Sequence, residues 1–400
     1  MTITNSITAP AKPMRNSSVE LLRMLSMLLI ISHHFLTHNF TNIERAAHNP
    51  LDYGFLFFLR NSGKIGVIIF FTISSWYFID RNQTVHASLK RVWILERELI
   101  FWALCCFFIS LTLNPEALGE GKVQLVSAGV RCLMPVTFVL WWYITCYVLF
   151  LIMLPFLQQG LIRLGKRKHI MLCLLLLLVF GVASLIPTSI MNPQTMTKYV
   201  WDTPLTFLYL FVLVSCYKLY FRKARTRTLV LVIVASFLIA VPYYVFTYWL
   251  AQHGRDVSCQ ILTTVSLPST LIGVGAFLLF ERWHWHNRAV NFVAKSALAV
   301  YLITEYGPIR RLLWEQWFNA DRIQQESFSS LRIIGMLLGI YAVCTLLDFV
   351  RRGLFKVTVD RHPGLWYERL AAWILGSPRS WFLAKCILPD STASSTPSQH

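Results

Sequence analysis

Charge is what this sequence has least of. Only 14% of its 400 residues are Asp, Glu, Lys or Arg, against about 25% in a typical soluble domain. That shortage excludes an ordinary water-soluble globule. Acidic residues are scarcer still, 19 against 37 Lys and Arg, which leaves a formal net charge of +18. The excess does not point to nucleic acid, because the basic residues sit mostly in short gaps between apolar runs, where membrane topology accounts for them. The nine cysteines form no C-x-x-C and no metal-ligand spacing, so neither zinc nor haem is expected and no metal is assigned. Most lie in apolar runs as packing residues; Cys132 and Cys259 both read as near the outer surface, and a disulfide between them is not expected. There is no Gly-rich phosphate loop of the P-loop or Rossmann type and no G-x-S-x-G nucleophile motif. ATP-driven transport and lipase-like chemistry therefore lack their usual signatures. No internal repeat is visible, which weakens the inverted-repeat plan of many secondary transporters.

What is present is apolar and aromatic: 56% hydrophobic residues, with Phe 28 and Trp 14. Ten runs are long enough to span a bilayer, at 19–37, 62–80, 93–113, 138–157, 169–187, 203–221, 228–249, 259–280, 290–307 and 331–350. The gaps alternate in Lys and Arg content. The rich set holds Lys12 and Arg15; Arg81, Lys90, Arg91 and Arg97; the 163–168 and 218–227 clusters; Arg282 and Arg288; and Arg351, Arg352 and Lys356. The positive-inside rule makes this set cytoplasmic. The fold expected is thus an all-α polytopic membrane protein of about ten transmembrane helices with both termini cytoplasmic. Residues 1–18 read as a disordered cytoplasmic segment, and the apolar run after it as a retained helix rather than a removed signal peptide. Residues 19–350 form the transmembrane domain. Residues 351–400 form a cytoplasmic tail with an interfacial amphipathic helix at 365–376 and a polar, disordered end.

The stretch Val19–His38 carries the first candidate chemistry. It is apolar yet holds Arg23 near its start and His33, His34 and His38 near its end. Ionisable groups at membrane depth are expensive and usually face a protein interior or a water-filled cavity. At about 100° per residue, Arg23 and His34 lie roughly 20° apart around a helix and about 16 Å apart along it. Glu20, Ser26 and Ile30 share that face, whereas His33 is about 80° off it. His34 is therefore the preferred working histidine, with Arg23 and Glu20 on its stripe. The plainer reading is that Arg23 snorkels to the headgroups and the histidines mark the water boundary.

Four further stretches are candidates. Glu305 ends the ninth run just before Tyr306, Gly307 and Pro308, where a helix should break. A carboxylate there, at the depth of His34, would orient an imidazole as general base; alternatively it only pairs with Arg310 or Arg311. Trp141, Trp142 and Tyr143 open the fourth run from outside, either as an aromatic belt or as a platform for a sugar ring. Ser74 and Ser75 let helices approach closely. Lys90, Arg91 and Arg97 on the cytoplasmic side either bind the phosphates of a nucleotide-bearing donor or follow from topology alone.

The string N-S-S-V-E-L-L-R-M-L-S-M-L-L-I-I-S-H-H-F at 16–35, with Arg23, ten residues, then His34, resembles the first helix of the integral-membrane acyltransferase 3 family. It is nearest the stand-alone bacterial branch that O-acetylates cell-surface and exopolysaccharide sugars. G-V-I-I-F-F-T-I-S-S at 66–75, W-Y-I-T-C-Y-V-L-F-L-I-M-L-P at 142–155 and Y-L-I-T-E-Y-G-P-I-R-R-L-L-W at 301–314 resemble further family segments in the right order. Three positions depart: Ile68 for an acidic or amide residue, Ser75 for Gly, and Thr304 where the branch commonly has His. The last puts a second-histidine role in doubt. No SGNH-type hydrolase domain follows the tenth run.

The resemblance implies a multi-pass acyltransferase of the bacterial cytoplasmic membrane. It would carry no permanently bound cofactor, take acetyl-CoA or another acyl-CoA as donor, and use a carbohydrate or lipid-linked glycan as acceptor. His34 is then the catalytic base, with Arg23 and Glu305 as partners. Lys90, Arg91 and Arg97 would contact the donor, and Trp142, Tyr143 and Arg310 the acceptor. The competing reading is a proton-coupled transporter or flippase of a glycan or lipid-linked intermediate, with Arg23, His34 and Glu305 as a proton relay.

Overall fold

Helices that are apolar around their whole circumference must be covered on every side, by protein or by lipid. The computed structural model describes residues 14–39, 49–185, 202–253, 262–319, 323, 329–362 and 364–375, and every element among them is helical, with no strand. Residues 1–13, 40–48, 186–201, 254–261 (Cys259 among them), 320–322, 324–328, 363 and 376–400, with the polar end of the tail, lie outside the described residues.

The elements are α1 (Ser17–Asn39), α2 (Pro50–Ile79), α3 (Val85–Leu113), α4 (Lys122–Leu133), α5 (Trp142–Leu176), α6 (Pro204–Tyr220), α7 (Thr226–Gln252), α8 (Leu267–Glu281), α9 (Arg288–Val293), α10 (Ala297–Thr304), α11 (Gly307–Arg311), α12 (Ser329–Val357) and α13 (Leu365–Leu375). Local signals set several of the ends. Asn49 and Thr84 cap α2 and α3 by accepting from the amides of Asp52 and Ala87, as short polar side chains do at helix starts. Pro50 occupies the first turn of α2, where its missing N–H costs nothing.

Among the described residues, five helical stretches are long and apolar enough to cross a membrane: Ser17–Asn39, Pro50–Ile79, Trp142–Leu185, Thr226–Leu250 and Ser329–Val357. The sequence reads about ten runs, and the difference has identifiable causes. The Trp142–Leu185 stretch holds two of the runs, 138–157 and 169–187, as two helical segments that meet at a kink at Gly165, φ 71°, inside the basic cluster. α3 carries Lys90, Arg91, Glu96, Arg97 and Glu98 in its first half. α6 and α8 are apolar but shorter than a full span. The ninth run is divided into α9, a 3₁₀ turn at Ala294–Ser296 and α10.

The gaps sort to two ends of the bundle. Basic-rich gaps meet one another: Ser17 N donates to the Trp285 carbonyl, Lys218 pairs with Asp80, and Arg97 pairs with Asp360. The poorer gaps meet one another too, through Asn114 with the Pro308 carbonyl, and Lys64 within α2 pairs with Asp202 just before α6.

α1 is the hub, in contact with α2, α8, α9, α10 and α12. Its tightest neighbour is α2, and glycine makes that crossing possible. A Cβ on Gly66 would lie 2.5 Å from the Ser26 carbonyl oxygen, and one on Gly63 would overlap the His33 side chain. Small residues at a crossing let backbones approach where lipid supplies no hydrophobic drive. α1 also starts earlier than the sequence boundary implies. Ser17 is buried, and its hydroxyl hydrogen-bonds Asn291 at 2.8 Å, which fixes the first turn against α9.

Candidate active site

The two histidines in tandem separate by partner. His33 faces α2, where its Nδ1–H donates to the Arg60 carbonyl and Thr37 Oγ1 lies 3.4 Å from its Nε2. Both of its ring nitrogens are thus engaged locally. His34 points the other way, into the bundle. Its Nδ1 lies 3.0 Å from Glu305 Oε1, both side chains being about one-tenth exposed. The approach is an ion-pair contact rather than an aligned hydrogen bond. The carboxylate meets the ring on its Nδ1 side, and a negative charge so placed favours the imidazolium form of a histidine that takes up a proton.

Glu305 reaches this position because the chain breaks there. α10 ends at Thr304, Tyr306 is extended, and Pro308 starts α11 in the first-turn position. The carboxylate at the break is shared, with Oε2 at 3.7 Å from both His38 Nε2 and Arg310 Nη1. Arg310 therefore serves Glu305, whatever else it contacts. Thr304, at the position where a second histidine is common in the resembling branch, is buried and bonds back to the Val300 carbonyl at 2.8 Å.

Toward the basic-rich end of α1, Arg23 Nε meets Glu20 Oε2 at 3.2 Å, and its guanidinium sits 5.4 Å from the centre of the Phe70 ring. Both charged groups line a cavity of about 440 Å³, together with Arg15, Arg91, Lys295 and Glu98. Four cations against two carboxylates give the cavity a formal positive excess, which suits a polyphosphate. A second, much smaller cavity of about 10 Å³ touches His34 and is walled by Met27, Ile30, Val67, Phe70, Trp142, Tyr143, Leu298 and Tyr301. Phe70, Tyr143 and Leu298 line both, so the two cavities share a wall.

The expected donor contacts divide. Arg91 lines the cavity, bonding Gln83 Oε1 at 2.8 Å. Lys90 and Arg97 are on the same helix but turn toward the tail: Lys90 Nζ is 2.6 Å from Glu368 on α13, and Arg97 Nη2 is 2.9 Å from Asp360. Arg15 and Lys295 stand in the cavity in their place. Lys295 lies inside an apolar run, and the cost of an intramembrane charge was the signal that would have found it. Glu98 carried the same signal. It is 3.2 Å from Arg351, which pairs at 2.6 Å with the fully buried Asp348. Trp142 and Tyr143 are walls of the inner cavity; Tyr143 is only 6% exposed and lies beside Tyr301.

The thiols carry one grouping that the sequence spacing did not reveal. His169 and Cys173, four apart on α5, meet Cys216 of α6, with potential ligand atoms all within 4.8 Å of one another. The His169 Nε2–H donates to the Val212 carbonyl, and the Cys173 thiol shares that acceptor, which accounts for the grouping as helix-to-helix hydrogen bonding. Cys132 is a free thiol beside the Tyr306 hydroxyl.

The described structure is a bundle of apolar helices with a buried His34–Glu305 pair and, nearer the start of α1, a cavity of net positive formal charge. The family model described as an acyltransferase domain, that of the acyltransferase 3 family, matches residues 16–358. The chain belongs to that family and is a membrane acyltransferase. No curated protein and no solved structure matches it.

Proposed function

We propose that this chain moves an acyl group, in the first instance acetyl, from cytoplasmic acyl-CoA to a hydroxyl of a cell-surface or exopolysaccharide sugar or its lipid-linked precursor. The observation that carries the reading is the succession of sites along α1: a cavity of about 440 Å³ with four cations, then a small apolar cavity, then His34 held by Glu305. The proposal includes ten crossings, both termini cytoplasmic and residence in a bacterial cytoplasmic membrane.

In this mechanism the donor's phosphates bind among Arg15, Arg23, Arg91 and Lys295. Its pantetheine arm follows α1 past Phe70 and Tyr143, a rise of about 16 Å from Arg23 to His34 at 1.5 Å per residue. An arm of that length brings a cytoplasmic thioester to an outward-lying base without moving the whole donor. His34 takes the proton of the acceptor hydroxyl, the hydroxyl oxygen attacks the thioester carbonyl carbon, and the C–S bond breaks as the ester forms. The proton on His34 then passes to the departing thiolate. Glu305 stabilises the transient imidazolium, and His38 and Arg310 keep Glu305 charged and in place.

The test is mass spectrometry of the host's surface polysaccharide with the gene intact, deleted, and carrying His34→Ala. An acyl group lost in both altered strains supports the reading. Wild-type acylation in the His34→Ala strain, with the protein present in membranes, overturns it.

A further inference from the structure

The outward face of α5 carries a feature that acyl transfer does not use. Met153, Phe156, Leu157, Gly160, Leu161 and Leu164 line an open groove of about 620 Å³. Their spacing puts all six on one stripe of the helix, with no polar side chain among them. From Met153 to Leu164 the stripe rises about 16 Å, half of a hydrocarbon core about 30 Å thick. That is the depth of one lipid leaflet. Beyond it, around the kink at Gly165, stand Arg163, Lys166, Arg167 and Lys168. Tyr147, which lines the cationic cavity, and Phe156 are nine residues apart, half a turn around the helix. The groove is therefore separate from the cavities along α1. We propose that groove and cluster together bind one anionic phospholipid, an acyl chain lying along the stripe and the phosphate among the four cations.

Three observations separate this place from ordinary contact with lipid. First, a Cβ on Gly160 would meet no atom within 4 Å, and its φ is not positive. Neither a helix crossing nor the backbone asks for glycine there, yet glycine weakens a helix interior. What the missing side chain leaves is the floor of the groove. Second, the four cations are exposed, and among the described residues none of them pairs with a carboxylate. Elsewhere at the basic-rich end Lys218, Lys223 and Arg97 all do. Membrane topology accounts for cations at that end, but not for four unpaired ones beside an apolar groove. Third, Arg163 lies one turn beyond Gly160 and about 60° around the helix from it, which sets the first cation at the groove's end. Basic pockets at the cytoplasmic side of a bundle recognise anionic headgroups. A choline headgroup would bring its own cation among the four, and that repulsion supplies the selectivity.

The experiment uses the full chain, purified in a neutral detergent and depleted of lipid. Phosphatidylglycerol or phosphatidylcholine with identical acyl chains is added at equal concentration, and binding is read by native mass spectrometry. One phosphatidylglycerol per chain should be retained, with an affinity at least about 10-fold above that for phosphatidylcholine, since each Lys or Arg near an anionic headgroup is worth about fivefold. Gly160→Leu fills the groove where there is open space. It should weaken phosphatidylglycerol binding by at least about 10-fold, while the thermal midpoint stays at or above that of the wild type, because leucine is the better helix former. Arg163→Gln combined with Lys166→Gln and Arg167→Gln should bring phosphatidylglycerol down to the affinity of phosphatidylcholine and leave the latter unchanged. If that triple variant does not accumulate, Arg163→Gln alone should cost about fivefold. Equal affinity of the wild-type chain for the two lipids overturns the site. So does wild-type phosphatidylglycerol binding by the Gly160→Leu chain, or a preference for phosphatidylglycerol that survives removal of the cations.

Discussion

Replacing Glu305 with Gln tests the centre of the mechanism with the least change of shape. The amide keeps the size and planarity of the carboxylate, loses its charge and exchanges one acceptor oxygen for an N–H donor. Two unit charges at the observed 3.0 Å separation interact by about 5 kcal/mol at an effective dielectric of 20. That figure is an upper bound on what the imidazolium loses. The carboxylate is divided among His34, His38 and Arg310, and the amide's own dipole recovers part of it. A loss of about 3–4 kcal/mol corresponds to a fall in kcat of about 10²–10³-fold. Glu305 is not among the residues lining either cavity, so the KM for acetyl-CoA should stay within about threefold, the pattern of an interaction made only in the transition state. The assay is the initial rate of glycan acetylation in membranes, with acetyl-CoA varied at fixed acceptor. A Glu305→Gln chain present at normal levels whose kcat falls less than about threefold would refute the assignment of Glu305 as the partner of a general base.

Three other outcomes follow from named contacts. Arg23→Lys should raise the KM for acetyl-CoA by about 10-fold or more, because an ammonium does not reproduce the guanidinium's paired contacts to phosphate and Glu20; unchanged donor affinity by titration counts against the donor role. Gly63→Ala should lower the thermal midpoint of the detergent-solubilised protein, with a cost of about 1–3 kcal/mol for overpacking against His33, and an unaltered midpoint would mean that α1 and α2 are looser than described. The α13 tie should be pH-dependent. The hydrogen bond from Lys90, aided by His86, holds the Glu368 carboxyl below its ordinary range. A lowered folded-state value means that the tie contributes fully above the ordinary carboxylate range and is lost as pH falls through the lowered value. Limited proteolysis near 365–375 should therefore accelerate only at the acidic end of a titration from neutral pH, and Glu368→Gln should show the acidic rate already at neutral pH.

The sequence by itself determined the class of the molecule and the centre of its site. Apolar runs with too few charges to fold in water force a membrane bundle. The 11-residue interval between Arg23 and His34 follows from helical geometry whatever surrounds it. The Gly-Pro pair after Glu305 announces a helix break, since proline removes a donor and crowds the preceding turn. In each case the cause is local and needs no knowledge of neighbours.

What the sequence left open depended on which helix lies beside which. His33 and His34 are adjacent and chemically identical; only the approach of α2 at Gly63 occupies one and the approach of α10 supplies Glu305 to the other. Lys90, Arg91 and Arg97 are equally basic, yet α13 and the segment before it take the first and last, leaving Arg91 to the cavity. Lys295 and Arg15, far apart in sequence, meet in the same cavity because α1 packs against α9 and the turn that follows it. Nor does any local pattern set the small volume against His34. Its walls come from α1, α2, α5 and α10 together, and α1 and α2 approach as closely as they do because they meet at glycines.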